Sequence, residues 1–76
     1  MSHMKLSQLI QNSKVKIQGF VGDPVIVERL KEMGFYPGLE IELVGRAPFG
    51  GPLIFRFGNT VLALRNEEAE CAITQA

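Results

Sequence analysis

Between Tyr36 and Thr74 the chain is cut at short intervals by turn dipeptides, and this punctuation limits what it can fold into. Tyr36-Pro37-Gly38-Leu39 carries proline and glycine at the second and third positions of a four-residue turn, the preference of type II. Pro48-Phe49-Gly50-Gly51-Pro52 comes next, then Gly58-Asn59, a dipeptide suited to positive φ in a hairpin. The segments between them alternate with period two. Ile41 and Leu43 oppose Glu40 and Glu42 over residues 40–47. Leu53, Phe55 and Phe57 oppose Ile54 and Arg56, and over residues 60–65 Val61 and Ala63 oppose Leu62 and Leu64. Asn66-Glu67-Glu68-Ala69 reads as one tight helical turn, and residues 70–74 as a last short strand.

One helix interrupts this series. Asp23 offers a capping carboxylate and Pro24 fits the first helical position, where a missing N–H leaves nothing unsatisfied. Ile26, Leu30 and Met33 follow at i, i+4 and i+7 as an apolar stripe, and Gly34 stops the helix as a left-handed cap. Glu28 with Lys31, and Arg29 with Glu32, stand at pairing distance on the wet side. Upstream, Val15 and Ile17 alternate with Lys14, Lys16 and Gln18 as a half-buried strand, and Gly19 marks a bulge or a close backbone approach. Residues 4–12 place Leu6, Leu9 and Ile10 at helical spacing, which predicts a short helix or single turn. About five short strands with one helix after the first strand suggest a mainly β protein, a small antiparallel barrel whose closure removes exposed edges.

Seventy-six residues make one domain. Met1-Ser2-His3 reads as an expression-vector scar, leaving residues 4–76 as the single domain and removing the sole histidine. Lys plus Arg numbers 8 and Asp plus Glu 8, with the basic residues scattered, so no field attracts phosphate backbones and no nucleic acid is expected. No apolar run approaches the roughly 20 residues of a membrane span. One cysteine cannot form an intramolecular disulfide, which suits the cytoplasm.

The machinery of an enzyme is missing. Without His3 neither a Ser-His nor a Cys-His pair can be assembled, so no catalytic residue and no cofactor is expected. Cys71, beside Ala72 and Ile73, reads as a small core thiol. Glu67, Glu68 and Glu70 read as a solvated turn, so no metal ligand is assigned. The glycine-rich stretch through Gly51 is followed by Pro52 rather than Lys-Ser or Lys-Thr, and is no phosphate loop. What remains is a surface. Tyr36, Pro37, Pro48, Phe49, Gly50, Gly51 and Pro52 put stiff or apolar groups in loops as ground for a protein partner, with Arg46 as a charged anchor. Phe35 is expected to fold back over the barrel end. For Phe49 docking and folding back both stand open.

The run Arg29-Leu30-Lys31-Glu32-Met33-Gly34-Phe35-Tyr36-Pro37-Gly38 resembles the RLxxLGxxPG segment of the FeoA family. Ala47 through Pro52 is similar to that family's APxGxP loop, Val61-Leu62-Ala63-Leu64-Arg65 to its xxALR strand, and Glu68-Ala69 with Ile73 to its closing EAxxIxV pattern. Met33 stands in place of a leucine, and Thr74 where a valine is common. The resemblance implies an SH3-like barrel, with Asp23, Pro24, Leu30, Gly34 and Gly38 in structural roles. It further implies a cytoplasmic accessory of bacterial ferrous iron uptake that binds the GTPase-bearing cytoplasmic region of FeoB, meeting the membrane only through that transporter. A second reading is direct binding and delivery of ferrous or another transition metal ion through Glu67, Glu68, Glu70 or Cys71. A third, a groove for proline-rich peptides, wants more aromatics than a chain with no Trp and one Tyr provides.

Overall fold

A computed structural model describes residues 3–75. Met1 and Ser2 of the expected vector scar, and Ala76, lie outside the described residues. The elements run β1 (His3–Lys5), a 3-10 turn (Leu6–Gln8), β2 (Lys14–Phe20), α1 (Pro24–Glu32), β3 (Glu40–Arg46), β4 (Leu53–Phe57), β5 (Thr60–Leu64), α2 (Asn66–Ala69) and β6 (Ala72–Gln75). All strands join one antiparallel sheet in the order β1-β6-β2-β3-β4-β5. The protein is mainly β with the helix where the sequence puts it.

Local chemistry builds α1 at both ends. The Asp23 carboxylate accepts from the Val25 N–H at 2.9 Å, and Pro24 opens the first turn. At the other end Gly34, at φ +105, donates to the Lys31 carbonyl while Phe35 donates to the Leu30 carbonyl, both at 3.1 Å. This is a Schellman closure, and its apolar contact pairs two buried side chains, Leu30 and Phe35. Phe35 then meets Phe57 edge to face at 5.3 Å between ring centroids, so it does close the barrel end. The predicted surface pairs of α1 give way to a longer-range one, in which Arg29 reaches Glu68 of α2 at 3.2 Å.

The strands alternate as read. Ile17, Ile41, Leu43, Leu53, Phe55 and Leu64 are buried in one core together with Leu30 and Phe35. Gly19 does sit at a register shift, between β2 and β6, and a second shift falls between Leu43 and Gly45. The turn at Tyr36 closes with Leu39 N–H on the Tyr36 carbonyl, with Gly38 at φ +98.

The N-terminal segment holds the expected single turn, a 3-10 turn over Leu6–Gln8, and adds a strand before it. Residues 3–5 form a strand on β6, so the sheet has six strands rather than about five. Leu6 and Leu9 are buried, but Ile10 is 76% exposed. In a 3-10 turn the side chains at i and i+3 eclipse, which selects Leu6 with Leu9 and turns Ile10 away. Thr74 is fully buried, and its hydroxyl donates to the Met4 carbonyl at 2.9 Å. Among the described residues no ladder joins the two edge strands, β1 and β5. Two short elements bridge the seam instead, the 3-10 turn after β1 packing on α2 after β5.

Candidate docking surface

The loop candidates fall into two groups, one at each end of β3. Tyr36, Pro37 and Gly38 precede its first residue and Pro48 to Pro52 follow its last. Seven residues at about 3.3 Å each put the groups roughly 20 Å apart. That is most of the width of a molecule measuring 27 × 26 × 26 Å. The sequence presents them as one apolar set, but the sheet does not bring them together.

The first group is stitched to β2. Gly38 donates to the Ile17 carbonyl at 2.7 Å, and Ile17 N–H donates to the Leu39 carbonyl at 2.8 Å. Tyr36 is carried on this clasp with about half its surface in water. Nearby, Lys14, Glu40, Ile41, Glu42, Arg56, Phe57 and Gly58 line a shallow depression of about 160 Å³. Two of its charges are matched to each other, Arg56 on Glu42 at 2.9 Å.

The second group is more constrained. Ala47 N–H donates to the Pro52 carbonyl at 2.9 Å, closing the base of the loop, and Gly51 N–H donates to the Pro48 carbonyl at 3.2 Å, closing its tip. The two central residues of that tip, Phe49 at φ +62 and Gly50 at φ +71, have the φ signs of a type I′ turn. A side chain at Gly51 would stand 2.8 Å from the Ala47 Cβ, so only glycine fits there. The Asn66 side-chain amide of α2 donates to the Gly50 carbonyl at 3.2 Å and holds the tip from the side.

Phe49 is the unusual residue. Its exposure is 103%, as open as a residue in an extended peptide, so it contributes nothing to the core. It also occupies left-handed backbone space, where a bulky residue is an outlier and the strain is on the order of 1 kcal/mol. An apolar ring is thus held out into water, in a conformation its own backbone disfavours, by a loop bonded at base, tip and flank.

Arg46 is exposed, yet it is tied down. Its Nη2 donates to the Leu9 carbonyl at 2.6 Å and the Ser7 carbonyl at 3.2 Å, tying the β3 end to the 3-10 turn. Asn12 N–H donates to the Leu43 carbonyl and the Gln11 side chain to the Val44 carbonyl, so residues 9–12 run beside the second half of β3. Ile10 therefore lies at the same end as Phe49. Sequence reasoning missed Ile10 because its spacing from Leu6 looks like a core stripe, and only the 3-10 geometry reveals otherwise.

The acidic candidates are separated in role. Glu68 accepts from the Arg65 N–H through Oε1 at 2.9 Å and from Arg29 through Oε2 at 3.2 Å. Glu67 and Glu70 are exposed. Cys71 is 6% exposed, with its Sγ 3.5 Å from the Glu67 carbonyl, a buried thiol against the end of α2. Among the described residues no three groups of the metal-binding types cluster. No helix of the described residues is long and apolar enough to cross a membrane.

The model of one protein family, described as the FeoA domain, matches residues 4–73. Among solved structures, a FeoA-like protein from Clostridium acetobutylicum has a TM-score of 0.90 at 31% identity over 99% of this chain and 87% of that one. FeoA of Stenotrophomonas maltophilia, solved with zinc, has a TM-score of 0.82 at 32% identity over 95% of this chain and 89% of that one. It is described as a prokaryotic SH3 domain protein and a candidate ferrous iron transport activating factor. A manganese-dependent transcriptional repressor shares the fold, with a TM-score of 0.85 at 12% identity over 95% of this chain and 40% of that one. No curated protein matches the chain in sequence.

Proposed function

This chain belongs to the FeoA family, and from that premise we propose that it is a cytoplasmic accessory of bacterial ferrous iron uptake that binds the cytoplasmic region of the FeoB transporter. It acts as an adaptor and carries out no chemistry of its own. Phe49 carries the reading: it is fully exposed at φ +62, on a loop that is otherwise tightly bonded. Backbone strain at a position that returns nothing to the core is expected where a partner supplies the return. Pro48, Gly50, Gly51 and Pro52 shape the knob, and Arg46 fixes its root. Tyr36 and Pro37 form a separate contact at the far end of β3, engaged only by a partner that spans the barrel.

In this reading residues 4–76 act as a single domain, of which the family model covers residues 4–73. The test is titration of isotope-labelled protein with the soluble cytoplasmic domain of FeoB, with and without guanine nucleotide. Amide shifts centred on residues 46–52 are the expected result. An F49A protein that folds and binds with unchanged affinity would remove the loop from the interface.

A second reading, direct binding of a transition metal ion, draws on the zinc held by the Stenotrophomonas relative. The commitment of both Glu68 oxygens to Arg29 and Arg65 weighs against it here.

A further inference from the structure

β5 is an edge strand whose sheet partner is β4 alone. Its two-residue turn closes on the pair Phe57 and Thr60, so Thr60, Leu62 and Leu64 direct their main-chain groups toward β4. Val61 and Ala63 direct theirs outward. Among the described residues no loop, helix or side chain hydrogen-bonds to these outward groups. Both residues are exposed, Val61 at 62%. The open row ends at Arg65, whose N–H and carbonyl are both taken within α2.

Exposed edges in natural sheets are usually blunted by lysine, proline or a bulge. This one is not. No charged residue stands between Phe57 and Leu64, and the β4–β5 ladder has no register shift.

We propose that β5 pairs antiparallel with β5 of a second copy of this chain, about a two-fold axis through Leu62. With Val61 of one copy opposite Ala63 of the other, all four outward groups on each strand find a partner. The branched Val61 side chain then lies beside the small Ala63 of its mate. Arg65 falls opposite Asn59, so no like charges meet. This self-complementarity favours a second copy over a foreign strand, because the same two residues serve both sides of an isologous contact. One strand pair buries less than the roughly 1,200 Å² of stable complexes, so association depends on concentration rather than being permanent.

The experiment is sedimentation of the whole chain from micromolar to millimolar concentration, with amide shifts recorded over the same range. The expected result is a rising mean mass with shifts centred on Val61 and Ala63. A63K, which sets a charge on the open edge, and V61P, which removes an outward N–H outside the β4 ladder, are both expected to abolish the concentration dependence. A variant is scored only if its remaining amide spectrum matches the parent. A constant monomer mass, dimerisation that survives in both folded variants, or shifts at these two residues only on adding the FeoB domain would each overturn self-pairing.

Discussion

Arg29 on α1 and Glu68 on α2 meet at 3.2 Å, and the same carboxylate caps the Arg65 N–H with its other oxygen. Glu68 is the more enclosed partner, with 13% of its side chain exposed against 58% for Arg29. One residue thus joins the helix to the turn before β6 and closes that turn from within. The acidic stretch that could suggest a metal site is, at its central member, a structural fastening.

Anaerobic calorimetry with ferrous iron is therefore expected to show no binding at micromolar concentration. E68Q should leave that result unchanged while lowering stability by about 1–2 kcal/mol, since a charge-assisted hydrogen bond and an ion pair weaken together. Saturable heat that disappears in E68Q would reverse the ranking of the two functional readings.

Phe49 and the fold want opposite things. F49N puts a residue that tolerates left-handed backbone into a turn that demands it, and removes a ring that packs on nothing. The denaturation midpoint is expected to rise by the equivalent of about 1 kcal/mol, while affinity for the FeoB cytoplasmic domain falls. A variant both less stable and equally good at binding would mean the ring serves the loop rather than a partner.

Arg46 should behave as a structural residue. R46A leaves the partly buried Leu9 carbonyl without its 2.6 Å donor, at a cost of about 1–3 kcal/mol in chemical denaturation. Amide exchange should quicken in residues 6–12 and 46–52, the two segments the guanidinium joins. If exchange stays unchanged in both segments, Arg46 is free to act as the charged anchor for a partner.

T74V tests the junction of β1 with β6. Valine matches threonine in shape, so packing is kept and only the hydroxyl's bond to the Met4 carbonyl is lost. The expected loss is about 1 kcal/mol, with faster exchange confined to residues 3–8. Thr74 thus makes a bond where valine offers only volume.

What was legible in the chain was what neighbours in sequence decide. The span from Asp23 to Gly34 carries its own cap, first-turn proline and glycine stop, so α1 could be read residue by residue. The same holds for the hairpin turn at Gly58 and the helical turn at Asn66. The N-terminal strand was not legible, because its partner, Thr74, lies 70 residues away from Met4. The tie from Arg46 to the Ser7 and Leu9 carbonyls is not legible for the same reason, since they lie 39 and 37 residues away. Local sequence leaves Phe49 open between core and surface, because the closing bonds of its turn are what fix φ and aim the ring outward. The two loop groups were each found, but that β3 holds them apart is visible only in the register of the sheet.

That separation gives each end of the barrel its own experimental address. A fluorophore or spin label on a cysteine introduced at Tyr36 would ride the far end of the molecule, outside any footprint centred on Phe49. It could report tumbling and distance to a partner without being in the way. A label that perturbs binding from there would instead measure how far round the barrel the partner reaches.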